Sequence, residues 1–120
     1  MSLGGHRSER VAEEIRHEIS LMLAGELKDP RLSGPLDVTE VRLSPDMRTA
    51  RVYVVLEGTP ADRQATMDGL KAAAGFVRHE LVERLQLRRA PEILFVPDES
   101  EQYGKRIDTL LRNVQQQKDK

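Results

Sequence analysis

The side chains that could do chemistry are few, and their spacing argues against catalysis. The histidines are His6, His17 and His79. None has a second histidine or a paired acid at metal-ligand spacing. His17 and Glu13 stand four apart, but two residues do not make a site, and surface histidines are the plainer reading. There is no cysteine. That removes a thiol nucleophile, a disulfide scaffold and any thiolate-held metal. Neither GxGxxG nor GxxxxGKS/T occurs, and there is no GxSxG elbow. The acidic run Asp98-Glu99-Ser100-Glu101 reads as a solvated loop. The expectation is a protein that is not an enzyme and needs no cofactor or metal.

The basic residues are more informative. Lys71, Arg78, Arg84, Arg88 and Arg89 gather in one stretch, and Lys28 and Arg31 form a weaker pair. Lys71 and Arg78 are seven apart, about two helical turns, so they can share a face. Glu80 and Glu83 interrupt the run. The formal net charge is −1, so a nucleic-acid surface would need segregated charge, not excess charge. On composition alone a solvated charged surface is the stronger reading. Four aromatics, Tyr53, Phe76, Phe95 and Tyr103, are too few for a base-stacking platform. Any RNA contact would rest on phosphates, sugar hydroxyls and shape.

Gly75 stands among these cations, directly after Ala72-Ala73-Ala74. A glycine inside a helix costs about 1 kcal/mol relative to alanine. Either it lets the helix pack closely on a sheet, or it marks a kink. A kink would free the amides of Phe76 and Val77 as a new helix N-terminus, which favours a phosphate. On these residues alone both readings stand.

The elements that must position these residues follow from periodicity. Val11, Ala12, Ile15, Ile19, Met22 and Leu23 form a helical stripe over residues 8–24, with Ser8 as cap and Gly25 as stop. Lys28-Asp29-Pro30-Arg31-Leu32-Ser33-Gly34-Pro35 is a loop. Residues 36–43 read as a strand with Thr39, Val41 and Leu43 on one face. Val38 is out of phase, so a bulge or two-sided burial is open. After the turn Ser44-Pro45-Asp46-Met47, residues 49–56 alternate cleanly, with Ala50, Val52, Val54 and Leu56 facing one way. Thr59, Pro60 and Asp62 start a second helix through Met67, Leu70, Ala74, Val77, Leu81 and Leu85. Leu87-Arg88-Arg89-Ala90-Pro91 breaks it. Residues 92–96 form a third strand, parallel to the second because a helix makes the crossover. Ile107, Leu110, Leu111 and Val114 suggest a short last helix.

The expected fold class is α+β, with helices on one face of a three-stranded sheet. Residues 1–7 are expected as a flexible lead, 8–114 as one domain and 115–120 as a flexible tail. No apolar run approaches the roughly 20 residues of a membrane span, and residues 1–10 lack a signal peptide's apolar core.

Several segments, in order, resemble the ribosome-binding factor A family. They are Arg10-Val11-Ala12-Glu13-Glu14-Ile15, Lys28-Asp29-Pro30-Arg31-Leu32, and Val41-Arg42-Leu43-Ser44-Pro45-Asp46 running into Ala50-Arg51-Val52-Tyr53-Val54. Arg89-Ala90-Pro91-Glu92-Ile93-Leu94-Phe95 follows, then Arg106-Ile107 and Leu110-Leu111. Each is loose alone; their joint order and spacing are specific. The resemblance implies a type II KH-like domain, read helix-strand-strand-helix-kink-helix-strand. In place of a GxxG loop, which this chain lacks, the family has an Ala-x-Gly kink, matched by Ala73-Ala74-Gly75. It implies a cytoplasmic, monomeric factor in late small-subunit assembly, rRNA processing and growth in the cold. Its partners would be the immature 30S subunit and 16S rRNA, with ribosomal-protein contacts and a GTPase that aids release. The RNA-binding residues would be Lys71, Ala73, Ala74, Gly75, Arg78, Arg84, Arg88 and Arg89, with Lys28 and Arg31. Relatives are often more basic, so contact is expected to be narrower or shared with ribosomal proteins, and with a short tail beyond Val114 the functions that some relatives place in a C-terminal extension are not carried over.

Overall fold

The computed structural model describes residues 3–32, 34 and 36–99 of the 120. The first helix, α1 (Leu3–Leu21), runs into a π-helical turn (Met22–Glu26) and a 3-10 turn (Pro30–Leu32). Then come β1 (Leu36–Leu43), β2 (Thr49–Leu56), α2 (Pro60–Leu85) and β3 (Glu92–Pro97). The chain is α+β, with a three-stranded sheet in the order β1-β2-β3. The expected last helix over Ile107, Leu110, Leu111 and Val114, and the tail 115–120, lie outside the described residues. No helix among the described residues is long and apolar enough to cross a membrane.

One core joins the layers. α1 gives Ala12, Ile15 and Ile19, and α2 gives Leu70, Val77 and Leu81. The sheet answers with Val38, Val41, Ala50, Val52, Val54, Leu56, Ile93 and Phe95. The strict alternation in β2 and β3 leaves their other face free of the core.

α1 departs from expectation at both ends. It begins at Leu3, ahead of Ser8, so residues 3–7 are helical. Extending an existing helix gains one hydrogen bond per residue fixed, without a new nucleation cost. At the other end Gly25 does not act as a left-handed stop. It sits inside the π-helical turn, which closes with the Leu27 amide donating to the Met22 carbonyl at 3.1 Å. The wider turn keeps Met22 buried.

β1 and β2 are antiparallel from Leu36↔Leu56 to Leu43↔Ala50, with a register shift between Val38 and Glu40. That bulge lets Val38 and Val41, three apart, both reach the core. It also corrects the expected face: Thr39 is exposed, and its hydroxyl donates to Asp98 Oδ2 at 2.5 Å. β2 and β3 are parallel from Thr49↔Glu92 to Val54↔Pro97.

α2 starts as the sequence indicates. Thr59 Oγ1 accepts from the Asp62 amide, and Asp62 Oδ2 accepts from the Thr59 amide. Gly58 before it has φ +100, and a Cβ there would meet Asp62 Oδ2 at 2.6 Å.

The expected break at Ala73-Ala74-Gly75 is absent. α2 is one helix from Pro60 to Leu85. Leu70, Val77 and Leu81 hold both halves to one core, and one glycine after three alanines costs too little to interrupt them. The amides of Phe76 and Val77 therefore lie inside the helix and form no new N-terminus. Close packing fails as the alternative too, because a Cβ on Gly75 would find nothing within 4 Å. The closely packed glycine is Gly69, whose Cβ would lie 3.1 Å from both Arg31 Cβ and Leu32 Cδ2.

Candidate nucleic-acid interface

The position of each cation follows from the helical angle of α2. Leu70, Val77 and Leu81 mark its inward face. At about 100° per residue, Lys71 and Arg78 fall to one side of that face and Gly69 to the other. Contacts agree. Arg78 reaches the turn into β3, whereas Gly69 lies against Arg31 and Leu32. The residues singled out in the sequence thus divide between two flanks.

On the β3 flank Lys71, Arg78, Arg88 and Arg89 lack carboxylate partners among the described residues. Arg78 donates from Nε to the Pro91 carbonyl at 3.0 Å and from Nη2 to the Ala90 carbonyl at 3.2 Å. Both acceptors are neutral, so neither offsets the positive charge of the guanidinium. Lys71, Arg88 and Arg89 are exposed and have no ion pair among the described residues. Gly75 lies between Lys71 and Arg78 and leaves the helix backbone bare there.

The turn carrying Arg88 and Arg89 is tied at both ends. Gln86 closes α2 in the left-handed region at φ 53. The Leu87 amide donates to the Val82 carbonyl at 3.3 Å, and the Glu92 amide to the Arg48 carbonyl at 2.7 Å. That last bond brings in a cation the sequence reading missed. Arg48, in the hairpin turn, is exposed, and its Nε stands 4.0 Å from Asp46. Only the parallel register Thr49↔Glu92 places it beside this turn.

The opposite flank differs. Arg84, expected on the basic face, is held by Glu26 at 2.8 Å, Glu80 at 3.0 Å and Glu18 at 3.3 Å. Those carboxylates, Glu26 foremost, hold its pKa above the ordinary arginine range. One cation among three acids is no phosphate site; it fastens α1 and the π-helical turn to α2. Arg31 pairs with Asp29 at 2.7 Å and also donates its amide to Asp29 Oδ1 at 2.9 Å. These contacts keep the Asp29 carboxyl below its usual range. Lys28 is exposed without an ion pair. Ala73 and Ala74 pack against the core and present little to a partner. Among the described residues no cluster of three His, Asp or Glu could hold a metal ion.

The family model described as ribosome-binding factor A matches residues 7–111. Curated relatives of that name include one from Caldanaerobacter subterraneus subsp. tengcongensis, 40% identical over 93% of this chain and 92% of its own. Another, from Anaeromyxobacter dehalogenans, is 48% identical over 93% of this chain and 81% of its own. Among solved structures, the crystal structure of ribosome-binding factor A from Thermus thermophilus is similar at a TM-score of 0.66 and 27% identity. That match covers 75% of this chain and 94% of the other. A Thermus thermophilus homology model, fitted into a cryo-EM map of a complex with 30S, is similar at a TM-score of 0.62 and 26% identity. It covers 77% of this chain and 96% of the other.

Proposed function

The chain belongs to the ribosome-binding factor A family, and from that premise we propose that it binds the immature 30S subunit through 16S rRNA phosphates. The observation that carries the assignment of the surface is the β3 flank of α2. Lys71, Arg78, Arg88 and Arg89 have no carboxylate partner among the described residues and form a cationic edge on a chain of net charge −1, with Arg48, paired only at 4.0 Å to Asp46, beside them. A backbone-reading surface needs that segregation. Support for the 30S as partner is the fit of a Thermus thermophilus relative into a map of a 30S complex.

On this reading the protein is a cytoplasmic monomer acting late in subunit maturation and pre-rRNA processing. It supports growth in the cold and leaves with the help of a GTPase. Arg84 fastens α1 and the π-helical turn to α2, Arg31 is tied to Asp29 within its own loop, and Lys28 stands apart from the contact surface. Co-sedimentation with 30S subunits across a salt series tests the proposal. With three or four phosphate contacts the log–log slope lies near −2 to −4. Binding to 30S but not to 70S is expected. Equal binding to both, or a slope near zero, would sink it.

A further inference from the structure

Among the cations of the β3 flank, Arg78 differs in kind, because two of its donors are already engaged inside the protein. We infer that Arg78 is a positioning residue: it sets the turn that presents Arg88 and Arg89 to phosphate. The inference rests on reading this flank as the phosphate-contacting surface.

The geometry is specific. Nε and Nη2 of one guanidinium donate to the Pro91 and Ala90 carbonyls, at 3.0 and 3.2 Å. These are consecutive carbonyls at the downstream end of the turn, and Pro91 is buried. The upstream end is fixed by the left-handed Gln86, whose Nε2 donates to the Glu83 carbonyl at 2.8 Å, and by the Leu87–Val82 bond. The Glu92 amide adds a third tie, to Arg48. Between these anchors stand Arg88 and Arg89, exposed and without ion pairs among the described residues.

A turn ordered before binding spares the cost of ordering it during binding. Two adjacent arginines on a loose turn would each lose that freedom when they met the rRNA. Lysine cannot take over the role. Its ammonium is a compact point charge on a flexible stem, whereas the planar fork of arginine aims donors in fixed directions. The charge of Arg78 and its fork can therefore be separated by substitution.

The variants are Arg78→Lys, Arg78→Gln and the pair Arg88→Gln with Arg89→Gln, alone and combined, in the full chain. Two readouts are needed. Hydrogen exchange on the free protein follows the amides of Leu87 and Glu92, which bond the Val82 and Arg48 carbonyls at the two ends of the turn. Binding to purified 30S subunits is measured across a salt series. Arg78→Lys should speed exchange at the turn while the rest of α2 stays protected. It should lower 30S affinity about tenfold, the cost of ordering two arginines. The Gln pair should flatten the salt slope by about 1.4–1.8. Adding Arg78→Lys to that pair should cost nothing further. A purely structural role would lower Tm and leave affinity and slope of the folded fraction unchanged.

Two outcomes overturn the inference. One is an Arg78→Lys protein with wild-type exchange and affinity. The other is an Arg78→Gln loss that adds fully to the Gln pair, with its own slope change of about 0.7–0.9, which would make Arg78 a direct phosphate contact. If the wild-type protein does not bind 30S, the functional reading falls by itself. Exchange at Leu87 and Glu92 then still decides whether Arg78 holds the turn.

Discussion

The two flanks of α2 carry the same kinds of side chain and use them in opposite ways. Toward α1, Arg84 is enclosed by Glu18, Glu26 and Glu80. Toward β3, among the described residues, Arg78 finds only carbonyls, and Arg88 and Arg89 find no partner. A cation answered by carboxylates holds elements together, and one without them keeps its field for something outside. A chain of net charge −1 can thus hold a cationic edge, because several of its acids are engaged elsewhere.

The largest test of that contrast reverses charge on the β3 flank. Arg88→Glu with Arg89→Glu should lower 30S affinity on the order of 10²-fold and flatten the salt slope. Tm should hardly move, since neither side chain has a partner among the described residues. The matching change on the other flank is Arg84→Met. It leaves three carboxylates facing each other without their cation, so Tm should fall on the order of 5 °C. The salt slope of 30S binding should stay as in the wild type. If Arg84→Met flattened the slope while Arg88→Glu with Arg89→Glu did not, the flanks would have been assigned the wrong way round.

Local features were legible in the sequence, and this division was not. The alternation of residues 49–56 and the Thr59–Asp62 cap depend on neighbours a few positions away, and both stand as read. The out-of-phase Val38 signalled the bulge, though not that Thr39 would leave the core face. Arg84, by contrast, meets Glu18 and Glu26 from 66 and 58 positions away. Arg78 meets carbonyls 12 and 13 positions on, and Arg48 joins the turn only through a parallel register. Five basic residues in one stretch therefore looked like one surface. What separates them is which way each helical position faces once the sheet is underneath.

A smaller effect tests the start of α2. The Thr59 amide donates to the Asp62 carboxylate and holds its pKa below the ordinary value of 3.8. A folded-state pKa below the unfolded one means the carboxylate's contribution is complete above about pH 4. It is lost as pH falls through the folded value. Asp62→Ala should thus lower Tm by a few degrees at pH 7 and make almost no difference near pH 2. Neither pH should reveal a change in the slope of 30S binding measured at neutral pH. An equal Tm deficit at both pH values would show that the cap does not depend on the charge.

The smallest effect carries the sharpest distinction, because it concerns the residue between Lys71 and Arg78 on the helix. Gly75 is exposed, lies inside an unbroken helix, and has open space where a Cβ would be. Its φ is not in the left-handed region. Alanine fits such a site without strain and loses less backbone freedom on folding. Gly75→Ala should therefore stabilise the protein by about 0.5–1 kcal/mol, a rise of several degrees in Tm. Gly69→Ala is the internal control. A Cβ there presses on Arg31 Cβ and Leu32 Cδ2 at 3.1 Å, so the same substitution should give no gain and a small loss. Binding then decides what Gly75 is for. If phosphates meet only the side chains of the β3 flank, the methyl group of Gly75→Ala leaves 30S affinity within about twofold. If affinity falls tenfold while Tm rises, the bound state uses the bare backbone at Gly75, by close approach or by a bend taken up on the 30S particle. Gly75→Leu separates those two. A bulky side chain on a helix that stays straight blocks approach without slowing association through a conformational step. A helix that must bend is penalised by Ala almost as much as by Leu, since both favour the continuous helix about equally.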